Sequence, residues 1–102
     1  MPTGIAIALP EGVCGLVLPR SGLAHRHGIS MVNAPGLIDP NYRGELRVIL
    51  INHGAEPLTA AAGDRIAQLL LVPFVAPSVA VVDELRAGGD DRGVNGFGSS
   101  DR

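Results

Sequence analysis

Gly36-Leu37-Ile38-Asp39-Pro40-Asn41-Tyr42-Arg43-Gly44-Glu45 lies between two apolar, β-branched runs, Ile29–Val32 and Leu46–Asn52. Gly, Asp, Pro and Asn are turn formers, each for its own backbone reason. The stretch therefore reads as a hairpin with a long decorated loop. Asp39 is a candidate general base, and Tyr42 offers a flat face on which a ligand can stack. A plainer reading fits the same residues: Asp39-Pro40-Asn41 as a simple turn and Tyr42 as a core aromatic.

Outward from this loop the pattern repeats. The chain has 14 Gly and 8 Pro, and they punctuate it at short intervals. Between them lie further short apolar runs: Gly4–Leu9 and Val13–Leu18 before the loop, Ile66–Phe74 and Ser78–Val82 after it. Together with Ile29–Val32 and Leu46–Asn52, these read as an all-β sandwich or barrel. Ile5, Ile7 and Leu9 alternate with Ala6 and Ala8, so both faces of that strand are expected to be covered. Arg47–Ile51 carries large apolar residues on both faces, which suits a buried strand. One short helix is expected at Ser21–His27, capped by Ser21 and ended by Gly28. From Arg86 to Arg102 the composition turns to Gly, Asp, Ser and Arg. That divides the chain into a β domain, residues 1–85, and a mobile arm, residues 86–102.

Composition narrows the class. At 102 residues the chain is one domain, 46% hydrophobic and 18% charged. Eight cations oppose ten acids for a net charge of −2, and every cation is Arg. This balance excludes a non-specific nucleic-acid coat, which needs net positive charge. It leaves room for a few Arg forks aimed at one anionic ligand. A single cysteine, Cys14, excludes a disulfide framework and any multi-Cys zinc site. Cys14 reads as a small buried hydrophobe. His25, His27 and His53 read as surface or interface residues, not as a metal set. No apolar run is long enough to span a bilayer, and no secretory signal pattern opens the chain. A cytoplasmic protein is the expectation.

Three other segments carry chemistry. Pro19-Arg20-Ser21-Gly22-Leu23-Ala24 joins a cation, a hydroxyl and a helix start, the parts of a phosphate seat; it also reads as an ordinary capped turn. Gly63-Asp64-Arg65-Ile66-Ala67-Gln68 is a turn into a buried strand, and Gln68 is a polar amide there that wants a partner. Arg92-Gly93-Val94-Asn95-Gly96-Phe97-Gly98-Ser99-Ser100 offers a cation, successive backbone N–H groups, two hydroxyls and one aromatic. Those groups suit a phosphate and a base, although composition alone equally describes a linker. Glu45 reads as the structural partner of an Arg.

In this order the four segments closely resemble the second to fifth motifs of the trimeric dUTP diphosphatase (dUTPase) family, over Thr3 to Ser100. Two departures fall in the last motif, at Asn95 and at Ser99-Ser100-Asp101. The family's first motif, an Ala-Gly-x-Asp-Leu-like segment, has no counterpart here. Its absence, and a Met1 standing where the family often has Val, lead to the expectation that Met1 is a mis-called GTG start within a longer gene. The related dCTP deaminases lack the Gly-rich Phe arm and fit less well. A non-catalytic dUTPase-like nucleotide- or partner-binding protein is the other alternative.

The resemblance implies a jelly-roll, distorted β-barrel fold, a homotrimer and sites shared between chains. It implies hydrolysis of dUTP to dUMP and pyrophosphate, with Mg²⁺ held through the substrate triphosphate and no protein metal ligand. Asp39 would activate the water. Asn33, Gly36, Leu37, Ile38 and Tyr42 would hold uracil and deoxyribose. Arg20, Ser21, Gly22 and Gln68 would hold phosphates from a neighbouring chain. Arg92, Phe97, Gly98, Ser99 and Ser100 would close over the site from the third. Neither a nucleic-acid polymer nor a membrane is an expected partner.

Overall fold

Val13–Leu18 (β1) is the centre of the larger of two sheets. The computed structural model describes residues 1–86. After β1 come a helix, Ser21–His27 (α1), and four strands: Ile29–Met31 (β2), Gly36–Ile38 (β3), Leu50–Asn52 (β4) and Gln68–Pro73 (β5). The larger sheet has the order β3-β1-β5, and β2 pairs with β4 in a second sheet. Every pairing is antiparallel. The described residues are all-β with one short helix, and their two sheets do not close into a barrel.

The hairpin expected around residues 36–45 exists, with an added turn. Ile29 faces Asn52 and Met31 faces Leu50, so the flanking runs do pair. Inside the connection, however, Gly36–Ile38 leaves the loop and pairs with β1, with Val17 facing Gly36 and Gly15 facing Ile38. The core forms where these pieces meet. Val17, Met31 and Val48 are buried together, with Ile38, Leu50, Ile66 and Ala67 packed around them. Cys14 is also buried, as its apolar strand required.

Three local expectations need correction. The first is Gly4–Leu9, which is not a strand. Pairing is confined to Met1–Ile5: Thr3 N–H donates to the Leu46 carbonyl, Leu46 N–H to Ile5, and Val48 N–H to Met1. Gly4 has φ +73°, a left-handed turn that an extended strand cannot contain. The second is Ser78–Val82, which has no strand partner among the described residues. Val79 and Val81 are 91% and 97% exposed, and β-propensity without a ladder or a buried face does not make a strand.

The third concerns the helix start. Arg20, with extended φ −94° and ψ 129°, holds the cap position, and Ser21 is already helical. No side chain caps the helix. The C-terminal end follows expectation. Gly28, at φ 70°, donates its N–H back to the Ala24 carbonyl and stops the helix. The left-handed conformation favours glycine, and a Cβ here would also stand 2.7 Å from the Gly54 nitrogen.

Candidate functional site

β3 delivers the chain to Asp39. From there the backbone folds tightly: Tyr42 N–H donates to the Asp39 carbonyl at 3.1 Å. Arg43 bends back, and its Nη1 donates to the Pro40 carbonyl at 2.6 Å and to Tyr42 at 3.2 Å. The Tyr42 hydroxyl donates to the Glu45 carbonyl at 2.9 Å. Glu45 is itself tied down. Its carboxylate accepts the Gly4 N–H at 2.8 Å and faces Arg47 Nε at 3.5 Å. The Arg partner expected for Glu45 is therefore Arg47, in an exposed pair of the kind that adds little stability.

This folded loop borders an open cleft of about 510 Å³, lined by Leu37, Ile38, Asp39, Tyr42, Gly44, Glu45, Leu46 and Arg47. That volume is in the range of small-molecule sites. Tyr42 is no core aromatic; it remains 44% exposed at the cavity edge. Asp39 is exposed and also lines an adjoining groove with Glu11, Asn41 and Arg43. Asn33 and Gly36 lie just upstream, with the Asn33 amide against Gly36. Gly44, Leu46 and Arg47 are lining residues that the sequence reading passed over. Leu46 and Arg47 read there only as strand, and nothing in their types marked them as part of a site.

A second group forms at the far end of β1. Arg20 Nη1 donates to the Arg65 carbonyl at 3.0 Å, and the Gln68 amide donates to the Pro19 carbonyl at 3.0 Å. Gln68 thus has a hydrogen-bond partner and faces Leu18 in the β1–β5 ladder, but β5 is largely exposed and not the buried strand expected. Arg20 lines a cavity of about 380 Å³ with Leu23, Leu58, Thr59, Asp64 and Arg65 among others. Ser21 is exposed beside it, and Gly22 follows in the same first helical turn, its carbonyl accepting from Arg26. The Gly63-Asp64 turn is structural: the Asp64 carboxylate accepts the Ala61 N–H at 2.8 Å.

One chain does not bring these two groups together. Asp39 lies one step past Ile38, beside the Gly15 end of β1, whereas Arg20 follows the Leu18 end. At about 3.3 Å per residue, roughly 15–20 Å of strand separates them. Arg92, Phe97, Gly98, Ser99 and Ser100 lie outside the described residues. Among the described residues no cluster of three His, Cys, Asp or Glu side chains could hold a metal ion. No helix there is long and apolar enough to cross a membrane.

Known proteins resemble this chain over nearly its whole length. The family model described as dUTPase matches residues 1–101. A deoxyuridine 5'-triphosphate nucleotidohydrolase of Anaeromyxobacter sp. (strain Fw109-5) is 57% identical over 102 residues, covering 100% of this chain and 68% of that protein. Among solved structures, the Staphylococcus bacteriophage 80alpha dUTPase with dUPNHPP superposes with a TM-score of 0.75 at 27% identity, over 93% of this chain and 70% of that one. A mutant dUTPase from phage phi11 of S. aureus, whose structure reveals the coordination of a structural Mg(II) ion, gives 0.70 at 27% identity, over 82% and 71%.

Proposed function

The chain belongs to the dUTPase family, and from that premise we infer that it hydrolyses dUTP to dUMP and pyrophosphate. The observation that carries this reading is the cavity lined together by Asp39, Tyr42 and the β3 residues Leu37 and Ile38. Water attacks the α-phosphorus in line with the departing pyrophosphate. Asp39 orients that water and accepts its proton as the new P–O bond forms and the bond to the bridging oxygen breaks.

The same loop selects base and sugar. β3 is an edge strand: β1 pairs with one of its sides. The N–H and C=O groups on the other side, around Asn33–Ile38, can read the donor and acceptors of uracil. Cytosine inverts part of that pattern and leaves buried groups unpaired, which discriminates strongly. Tyr42, packed on the deoxyribose, leaves no room for a 2′-hydroxyl.

Arg20, Ser21, Gly22 and Gln68 hold phosphates. A guanidinium has five N–H donors; the bond from Arg20 to the Arg65 carbonyl uses one and aims the rest. These residues stand a strand's length from Asp39, so we assign them to the site of a neighbouring copy in a homotrimer. A further observation favours association: Val79, Val81 and Leu85 are 91%, 97% and 85% exposed, an apolar surface that a lone soluble chain rarely leaves open. Residues 86–102, with Arg92, Phe97, Gly98, Ser99 and Ser100, are the third copy's contribution, an arm that closes over the site and excludes water.

Magnesium fits this arrangement as a companion of the triphosphate. The described residues offer no cluster of three acidic or His side chains there, which suits an ion held mainly by phosphate oxygens and waters. When bound, Mg²⁺ offsets the charge that builds on the phosphoryl oxygens. A cytoplasmic location suits a hydrolase of free nucleotides. The test is pyrophosphate release by the purified chain from dUTP, dCTP, dTTP and UTP. A strong preference for dUTP is expected; equal rates on dUTP and dCTP would overturn the reading.

A further inference from the structure

Tyr42 poses a physical question. It is 44% exposed, yet a sugar wall works only if its ring stays in place. Two contacts hold it. The hydroxyl donates to the Glu45 carbonyl at 2.9 Å. The ring itself folds back over Gly44, two residues on. A Cβ added at Gly44 would meet the Tyr42 hydroxyl oxygen, with Cζ at 2.6 Å and Cε1 at 3.0 Å. All three nearest atoms belong to Tyr42.

The backbone gives no other reason for glycine here. The glycines with positive φ are Gly4, Gly12, Gly28 and Gly63 among the described residues, so no positive φ calls for glycine at position 44. What position 44 lacks is space, and Tyr42 alone occupies it.

We propose that Gly44 is a positioning residue for Tyr42: its missing side chain is the seat of the ring, and that seat sets discrimination between deoxyribose and ribose. The proposal rests on the reading that Tyr42 packs against the sugar. A methyl group at position 44 lifts the ring off its seat, breaks the hydroxyl bond to Glu45 and moves the wall by about an ångström or more. Displacements of that size near reacting groups commonly cost on the order of 100-fold.

The chain itself supplies a clean probe. Tyr42 is its single tyrosine, and it has no tryptophan. Tyrosine emission of the nucleotide-free 102-residue chain therefore reports this one ring. In Gly44→Ala, acrylamide should quench that emission more readily than in the unmodified protein. The ratio of kcat/KM for dUTP to that for UTP should fall roughly 10–100-fold. Tyr42→Ala should lower the ratio as well, and adding Gly44→Ala to it should change nothing further, since the added methyl then meets no ring. Should Gly44→Ala alone fail to fold, the double variant should regain the melting temperature of Tyr42→Ala; no recovery overturns the proposal. Unchanged quenching and ratio in Gly44→Ala, with a lowered ratio in Tyr42→Ala, also overturn it while leaving the sugar-wall reading intact. An unchanged ratio in Tyr42→Ala overturns the sugar-wall reading instead, and quenching of Gly44→Ala still decides whether residue 44 seats the ring.

Discussion

Gln68 donates its side-chain amide to the carbonyl of Pro19 at 3.0 Å, and this bond ties the start of β5 to the turn that presents Arg20. The two residues are 49 apart in the chain. Their link closes the segment that carries the proposed phosphate-binding group, because Leu18, just before the turn, also faces Gln68 in the sheet ladder.

Gln68→Ala should therefore have a double effect. Loss of one hydrogen bond at an exposed site costs about 1 kcal/mol of stability, visible as a small drop in melting temperature. KM for dUTP should rise several-fold, with a smaller change in kcat, because the Pro19–Arg20 turn loses its tether. A titration showing unchanged KM would remove Gln68 from the phosphate group.

Gly28→Ala tests the fold away from the cavity. Left-handed φ costs alanine about 1–2 kcal/mol, and the new Cβ would also meet the Gly54 nitrogen at 2.7 Å. Thermal unfolding should show a loss of about 2 kcal/mol or more. A melting temperature equal to that of the unmodified protein would mean that the α1–β4 junction is laxer than described.

The sequence carried the local elements better than their partners. β1 and α1 have the bounds expected from Val13–Leu18 and Ser21–His27, because an apolar run that stops at Pro19 and a short helical stretch that stops at Gly28 leave little choice. Gly36–Ile38 was hidden inside a loop rich in turn formers; its strand character comes from β1, a partner remote in sequence. Ser78–Val82 shows the reverse, a run of strand formers with no ladder to join among the described residues. For the site, Asp39, Tyr42, Arg20 and Gln68 stood out as odd residue types in their settings. Gly44 did not, because what it contributes is empty space, and only the folded ring of Tyr42 shows that the space is used.

Asp39→Asn should separate binding from turnover. The amide keeps the shape of the carboxylate but cannot accept the proton of the attacking water. Calorimetry with a non-hydrolysable dUTP analogue should give an affinity within a few-fold of the unmodified protein, while pyrophosphate release falls by roughly 100-fold or more. Release at the unmodified rate would assign water activation to another group.

Site sharing between copies is the central structural claim, and mixing two inactive variants tests it most directly. Asp39→Asn and Arg20→Ala are each expected to lose most activity. Co-refolded in equal amounts, they should form mixed trimers in which about a quarter of sites draw an intact Asp39 and an intact Arg20 from different chains. Pyrophosphate release should then recover to about a quarter of the unmodified rate. A mixture no more active than its separate components, under conditions where native mass spectrometry shows mixed trimers, would place Asp39 and Arg20 in the same chain's site and contradict the account.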